Sequence, residues 1–115
     1  MNMSHSALVV PAALNHPVHI ILVELGTGPI LRHIHGDSGR LFGIDWCVYP
    51  INGDSRATLP NVRAEVLIRE AGIDLDEVVY GSAAFLGIGI TGRESDVPRH
   101  LIRLAEQLFD MPLAA

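Results

Sequence analysis

Three histidines lie close together in the first third of the chain, His19, His33 and His35, with Asp45 and Cys47 shortly after them. Imidazole suits zinc, iron or copper, and two histidines at i,i+2 on a strand project from one face, so both can reach one ion. If Gly26, Thr27 and Gly28 form a turn, Leu25 pairs with Pro29, Ile21 faces His33 and His19 faces His35. One sheet face then carries all three imidazoles, and Asp45 and Cys47 follow on the next strand. The same cluster would respond to mild acid, because neighbouring imidazoles repel one another once protonated.

Other motifs have the letters of a chemistry without its setting. His33 and His35 resemble the His-x-His pair of cupin metal sites, but the glutamate expected a few residues later is absent. GIGITG at 87–92 spells a dinucleotide-binding fingerprint. That fingerprint must open a helix at once, whereas Arg93 to Asp96 intervene here and no second strand fits before Ala115. A strand whose glycines admit a close neighbour is the simpler reading. GDSG at 36–39 resembles the nucleophile signature of trypsin-like proteases, yet two six-stranded barrels cannot be built from 115 residues; turn chemistry explains it. Asn61 to Phe85, forced into a helix-turn-helix, would present Asp74, Asp76 and Glu77 to phosphate, which repels them. Cys47 has no cationic neighbour in sequence and reads as a structural thiol.

Composition removes further classes. All eight basic residues are arginine, so Schiff-base chemistry and the P-loop lysine are excluded. Thirteen acidic residues give a net charge of −5, which disfavours nucleic acid. A single cysteine forms no intrachain disulfide and no Cys-x-x-Cys knuckle. The N-terminus lacks the basic region and unbroken apolar core of a signal peptide, and no apolar run is long enough to span a bilayer. The expectation is a soluble cytoplasmic protein with no cofactor, no nucleic-acid partner and no membrane partner.

The elements that must position these residues begin with VHIILVEL, PILRHIH and LFGIDWCVY, three apolar runs parted by short glycine-containing breaks, the pattern of an antiparallel meander. Alternation puts Val18, Ile20, Leu22, Ile30, Ile34, Phe42, Ile44, Trp46 and Val48 on one face, the better core candidate. The other face carries Ile21, Val23, Leu31 and Tyr49 among the histidines. Residues 1–17, broken by Pro11 and Pro17, are expected to form an irregular arm with one short strand around Ala7 to Val10. Asn61 to Gly72 has helical periodicity: Val62, Val66 and Arg69 follow one ridge, Ala64, Leu67, Ile68 and Ala71 widen the stripe, and Glu65 precedes Arg69 at i,i+4. Asp74 with Glu77 suggests a short helical turn ending near Gly81, followed by a strand from Ala83 to Thr91. Ser95 or Asp96 is the expected cap of a last helix whose stripe is Leu101, Leu104, Ala105 and Leu108. The fold expected for 18–112 is a single α+β domain: an antiparallel sheet of three to five strands, two helices mainly on one face, order β-β-β-α-β-α.

Two helices cover one sheet face well, which leaves apolar groups on the other. The expected function is therefore a small regulatory or adaptor protein, a homodimer that also binds another protein and inhibits a regulator by occupying its interaction surface. Its expected contacts are Ile21, Val23, Leu31, His33, His35 and Tyr49, with Arg99 and Arg103 on the last helix. The alternative is a metal- or small-ligand-binding enzyme using His19, His33 and His35.

Overall fold

The computed structural model describes residues 4–24, 41–42, 45–50, 59–76, 78–89 and 94–113. Its main elements follow the order β-β-β-α-β-α: strands β1 (Ser4–Val10), β2 (His19–Glu24) and β4 (Trp46–Pro50), helix α1 (Val62–Glu70), strand β5 (Ala83–Ile88) and helix α2 (Arg99–Phe109). Two short strands extend the sheet, β3 (Leu41–Phe42) and β6 (Glu94–Ser95). Every pairing is antiparallel, the order is β2-β1-β5-β4-β3, and β6 pairs with β5 beyond the end of β1. Among the described residues no helix is long and apolar enough to cross a membrane.

The largest difference from expectation is the role of the N-terminal segment. Its strand is seven residues long and sits inside the sheet, with β2 on one side and β5 on the other. The reason is visible in SHSALVV: four consecutive positions, Ala7 to Val10, are buried, which only a strand covered on both faces can satisfy. The expected pairing of Val18–Leu25 with Pro29–His35 falls outside the described residues. LFGIDWCVY, expected as one strand, is two: Leu41 pairs with Val48 and Phe42 with Cys47, so the chain reverses between them.

Both helices pack on one face. Leu8, Val10, Trp46, Val48, Ala83 and Phe85 project from the strands against Ala64, Leu67 and Ile68 of α1 and Leu101 and Ala105 of α2. Val18 and Ile20 join them, as their parity requires. Each large side chain buried in this way contributes about 1.5–3 kcal/mol. The Trp46 and Phe85 rings lie 5.8 Å apart at 45°, a tilted contact favoured by their quadrupoles. Helix α1 presents Ala64, Leu67 and Ile68 inward, and Val62 and Arg69 of the expected ridge point to solvent. Gly72 closes the helix with φ +107, a conformation that suits glycine.

No helical turn forms at 74–76 or 78–79; there the chain is irregular, and β-prone Val78-Val79-Tyr80 outweighs the Asp74/Glu77 cap signal. The expected Glu65–Arg69 pair forms, and both partners tie this stretch to α1: Arg69 Nε donates to the Leu75 carbonyl at 3.1 Å, and the Val79 N–H donates to Glu65 Oε2 at 3.1 Å. The cap of α2 is Pro98, without a side-chain bond. Asp96 is diverted to β1, where its Oδ1 accepts the Ser6 N–H at 2.8 Å.

Asn61 joins the layers. Its side chain is fully buried, Nδ2 donates to the carbonyls of Val10 (2.8 Å) and Gly81 (2.9 Å), and Oδ1 accepts the Ala64 N–H (3.0 Å) as the cap of α1. Replacing Asn61 by Leu should cost about 2–4 kcal/mol, since three buried main-chain groups lose their partner. Asn61→Asp should cost a comparable amount, because a carboxylate cannot donate to two carbonyls. Urea unfolding followed by circular dichroism measures both. At Gly87 an added Cβ would lie 2.7 Å from Ser95 Oγ and against the Asp96 carbonyl oxygen. Gly87→Ala should therefore destabilise by about 1–3 kcal/mol in the same assay.

Candidate functional site

The two ends of the sheet differ in chemistry. At one end Val10, Pro50 and Ala83 lie side by side in neighbouring strands. Three segments meet there: the β1–β2 connection, residues 59–63 and residues 78–82. Asn61 bonds to Val10 and Gly81, Ser82 Oγ accepts the Ala12 N–H at 3.2 Å, and Pro60 bridges to Tyr80. Arg63 completes the union. Its guanidinium donates to the carbonyls of Pro11 (2.8 Å), Ala13 (2.9 Å) and His16 (2.7 Å), which fixes the turn at 13–16. Burial lowers the Arg63 pKa from its ordinary value, and its Nε is buried without a hydrogen-bond partner. An arginine stays charged under these conditions, so this turn is held by charge-assisted bonds to carbonyls.

What this frame displays is apolar. Leu14 at the tip of the turn is 71% exposed, Val62 56% and Tyr80 53%, with Leu59 and Val78 also exposed. Among the described residues these are five of the six exposed large hydrophobic side chains, and Leu22 on β2 is the other. Val62, the first residue of α1, follows Pro60 by two positions, and Pro60 is bridged to Tyr80, so both exposed side chains belong to this end of the sheet.

The opposite end is polar. His100 Nε2 lies 2.8 and 3.0 Å from the two carboxylate oxygens of Asp45, and His5 Nδ1 lies 3.6 Å from Asp96 Oδ1. An imidazole held by a carboxylate is the orienting half of a catalytic dyad or triad. Among the described residues neither ring is bonded to a hydroxyl or thiol, and no three His, Cys, Asp or Glu side chains gather as a metal site. Both members of the His100–Asp45 pair are largely open to solvent.

The chain matches no protein-family model, no curated protein and no solved structure.

The residues singled out by sequence separate into four groups. Leu31, His33 and His35 lie outside the described residues. His19 is exposed at the start of β2, with Nδ1 2.9 Å from the Pro17 carbonyl. Ile21, Val23 and Tyr49 share the second sheet face, as their parity demands, in a cluster with Ala7, Cys47 and Leu86. That face is closed within the single chain: Val23 and Tyr49 are buried and Ile21 is half-buried. The expectation of an open second face is thereby corrected for these residues. Arg99 and Arg103 are exposed on α2, and Arg103 borders a shallow open hollow with Glu106, Gln107, Asp110, Met111 and Pro112.

Sequence reasoning did not single out the apolar end. Periodicity puts Val62 on one ridge with Val66 and Arg69, and Leu14 lies in a segment without periodicity. The available signal was Asn61, a favoured N-cap residue, which fixes where α1 starts and so turns Val62 outward. Two outcomes follow. Asp45→Asn should change stability by less than about 1 kcal/mol in urea, as for other exposed pairs. Arg63→Gln should cost about 1–3 kcal/mol and raise amide hydrogen exchange at 12–16 selectively, because three carbonyls lose a charged donor.

Proposed function

We propose that the chain is a small binding protein of the regulatory or adaptor kind, which docks its apolar end onto another protein. The observation that carries this reading is the gathering of Leu14, Leu59, Val62, Val78 and Tyr80 on segments locked together by Asn61 and Arg63. With exposed Pro60 they offer on the order of 500 Å² of apolar surface, the size of the largest patches on monomers, which are often functional. A stable interface takes about 800 Å² from each partner, so this end suits a reversible contact.

The frame matters as much as the patch. A turn already held by three charge-assisted bonds loses little further freedom on binding, which leaves more of the apolar burial as affinity. An aromatic ring with a polar tip, as in Tyr80, is a common anchor of such contacts. The inhibitory form of the reading is that this end fills a hydrophobic site that a regulator uses for its own interactions.

The test compares capture from native extract by tagged wild type, Val62→Asp/Tyr80→Asp and Asp45→Asn, each checked for wild-type circular dichroism. A protein retained by wild type and Asp45→Asn, lost at least tenfold by the double variant, and then binding purified wild type at 1:1 stoichiometry in calorimetry is the expected result. The same set of proteins retained by all three would overturn the reading.

A further inference from the structure

We propose that the apolar end takes a basic amphipathic peptide segment of its partner, with apolar side chains laid on Val62, Val78 and Tyr80 and arginine or lysine side chains set against Asp74 and Asp76. This inference rests on the docking reading above and deepens it by giving the partner a chemistry.

Residues 74–80 run back along α1, from its last turn to its first. Arg69 Nε donates to the Leu75 carbonyl, the Val79 N–H donates to Glu65 Oε2, and the Val79 carbonyl accepts the Asn61 N–H. Leu75 and Val79 are buried beneath, whereas Asp74, Asp76, Val78 and Tyr80 are exposed. Those four share the outward side of one tethered segment, acidic in the half near Arg69 and apolar in the half near Asn61. Exposed Val62 stands beside the apolar half, because Asn61 is bonded to Val79 and Pro60 is bridged to Tyr80.

The charge beside this surface has one sign in excess. From Leu59 to Tyr80 the sequence has five carboxylates and two arginines. Both arginines are engaged, Arg63 on the Pro11, Ala13 and His16 carbonyls and Arg69 on Glu65 and the Leu75 carbonyl. Glu70, Asp74 and Asp76 are exposed and set a negative potential next to the patch. That sign selects among occupants. A second copy docked patch to patch would bring its own carboxylates against these, and nucleic acid or an anionic lipid surface would bring phosphate; each places like charges together. A cationic segment is attracted at the acidic half while its apolar residues leave water at the other. An arginine can in addition stack on the Tyr80 ring.

Random dodecapeptides displayed on phage and selected on the immobilised full chain are the probe, with the enriched sequences synthesised and titrated by fluorescence anisotropy. Enriched peptides should combine aromatic or aliphatic residues with a net positive charge, and their affinity should fall as salt rises. Asp74→Lys/Asp76→Lys should weaken them roughly tenfold or more. Exchanging their lysines and arginines for glutamate should restore binding to that variant. Val62→Ser/Tyr80→Ser, which alters no charge, should also weaken the original peptides roughly tenfold, and Asp45→Asn should not; circular dichroism verifies each fold. Peptides lost on Val62→Ser/Tyr80→Ser but neutral or acidic, or indifferent to Asp74→Lys/Asp76→Lys, would overturn the basic assignment and leave the docking reading standing. Peptides indifferent to Val62→Ser/Tyr80→Ser would sink both. A selection that enriches no peptide would count against the basic assignment in the same way as neutral ones.

Discussion

The structure depends on one buried amide. Asn61 is the only polar residue among the fully enclosed side chains described, and it is placed where the end of β1, the start of α1 and the approach to β5 converge. Its main chain takes part as well: the Asn61 N–H donates to the Val79 carbonyl at 2.7 Å, and its carbonyl accepts from Glu65 at 3.2 Å. A side chain that both donates and accepts is required, because the groups around it are two carbonyls and one N–H. A leucine there would fill the space and leave all three unpaired in a dry environment, where an unmet polar group costs most. The position of α1 over the sheet, and hence which of its residues face inward, follows from this one set of bonds.

From that anchor the molecule acquires its two unlike ends. Charge-assisted bonds from Arg63 and the polar bonds of Asn61 go to backbone, and the exposed side chains nearby include Leu14, Leu59, Val62, Val78 and Tyr80 beside the polar Asn15, His16 and Asp76. At the other end the histidines and aspartates bond to one another and to β1, with His100, Asp45 and Asp96 open to water and His5 largely enclosed. Weighed by magnitude, exposed imidazole–carboxylate pairs contribute little, whereas each 100 Å² of apolar surface withdrawn from water contributes about 2.5 kcal/mol. The apolar end therefore has the larger capacity to drive an interaction.

Much of the architecture was legible in the sequence. The 3.6-residue periods of both helices, the Glu65–Arg69 pair, the glycine stop at Gly72 and the strand beginning at Ala83 are local patterns, and local patterns survive folding. The face assignment of Val18, Ile20, Trp46 and Val48 was readable from parity alone. What was not legible is non-local. Pairing of β1 with β5 joins the first and last thirds of the chain, and no periodicity announces it. Asp96 has the letters and spacing of a helix cap, and only the tertiary position of Ser6 explains its diversion. The apolar end is invisible for the same reason: its members come from three separate segments and become neighbours through Asn61, Ser82 and Arg63.

The interior position of β1 has a consequence for how the chain is made. The strand precedes the other described elements in the chain, and β2 can close on one side of it within a few residues. Its other side waits for β5, and the tie between Ser6 and Asp96 spans 90 positions. During synthesis an apolar hairpin must persist with its future central edge bare. Such high contact order slows folding and exposes the nascent chain to misassociation, so folding assistance would matter most before Ala83 to Ile88 emerge.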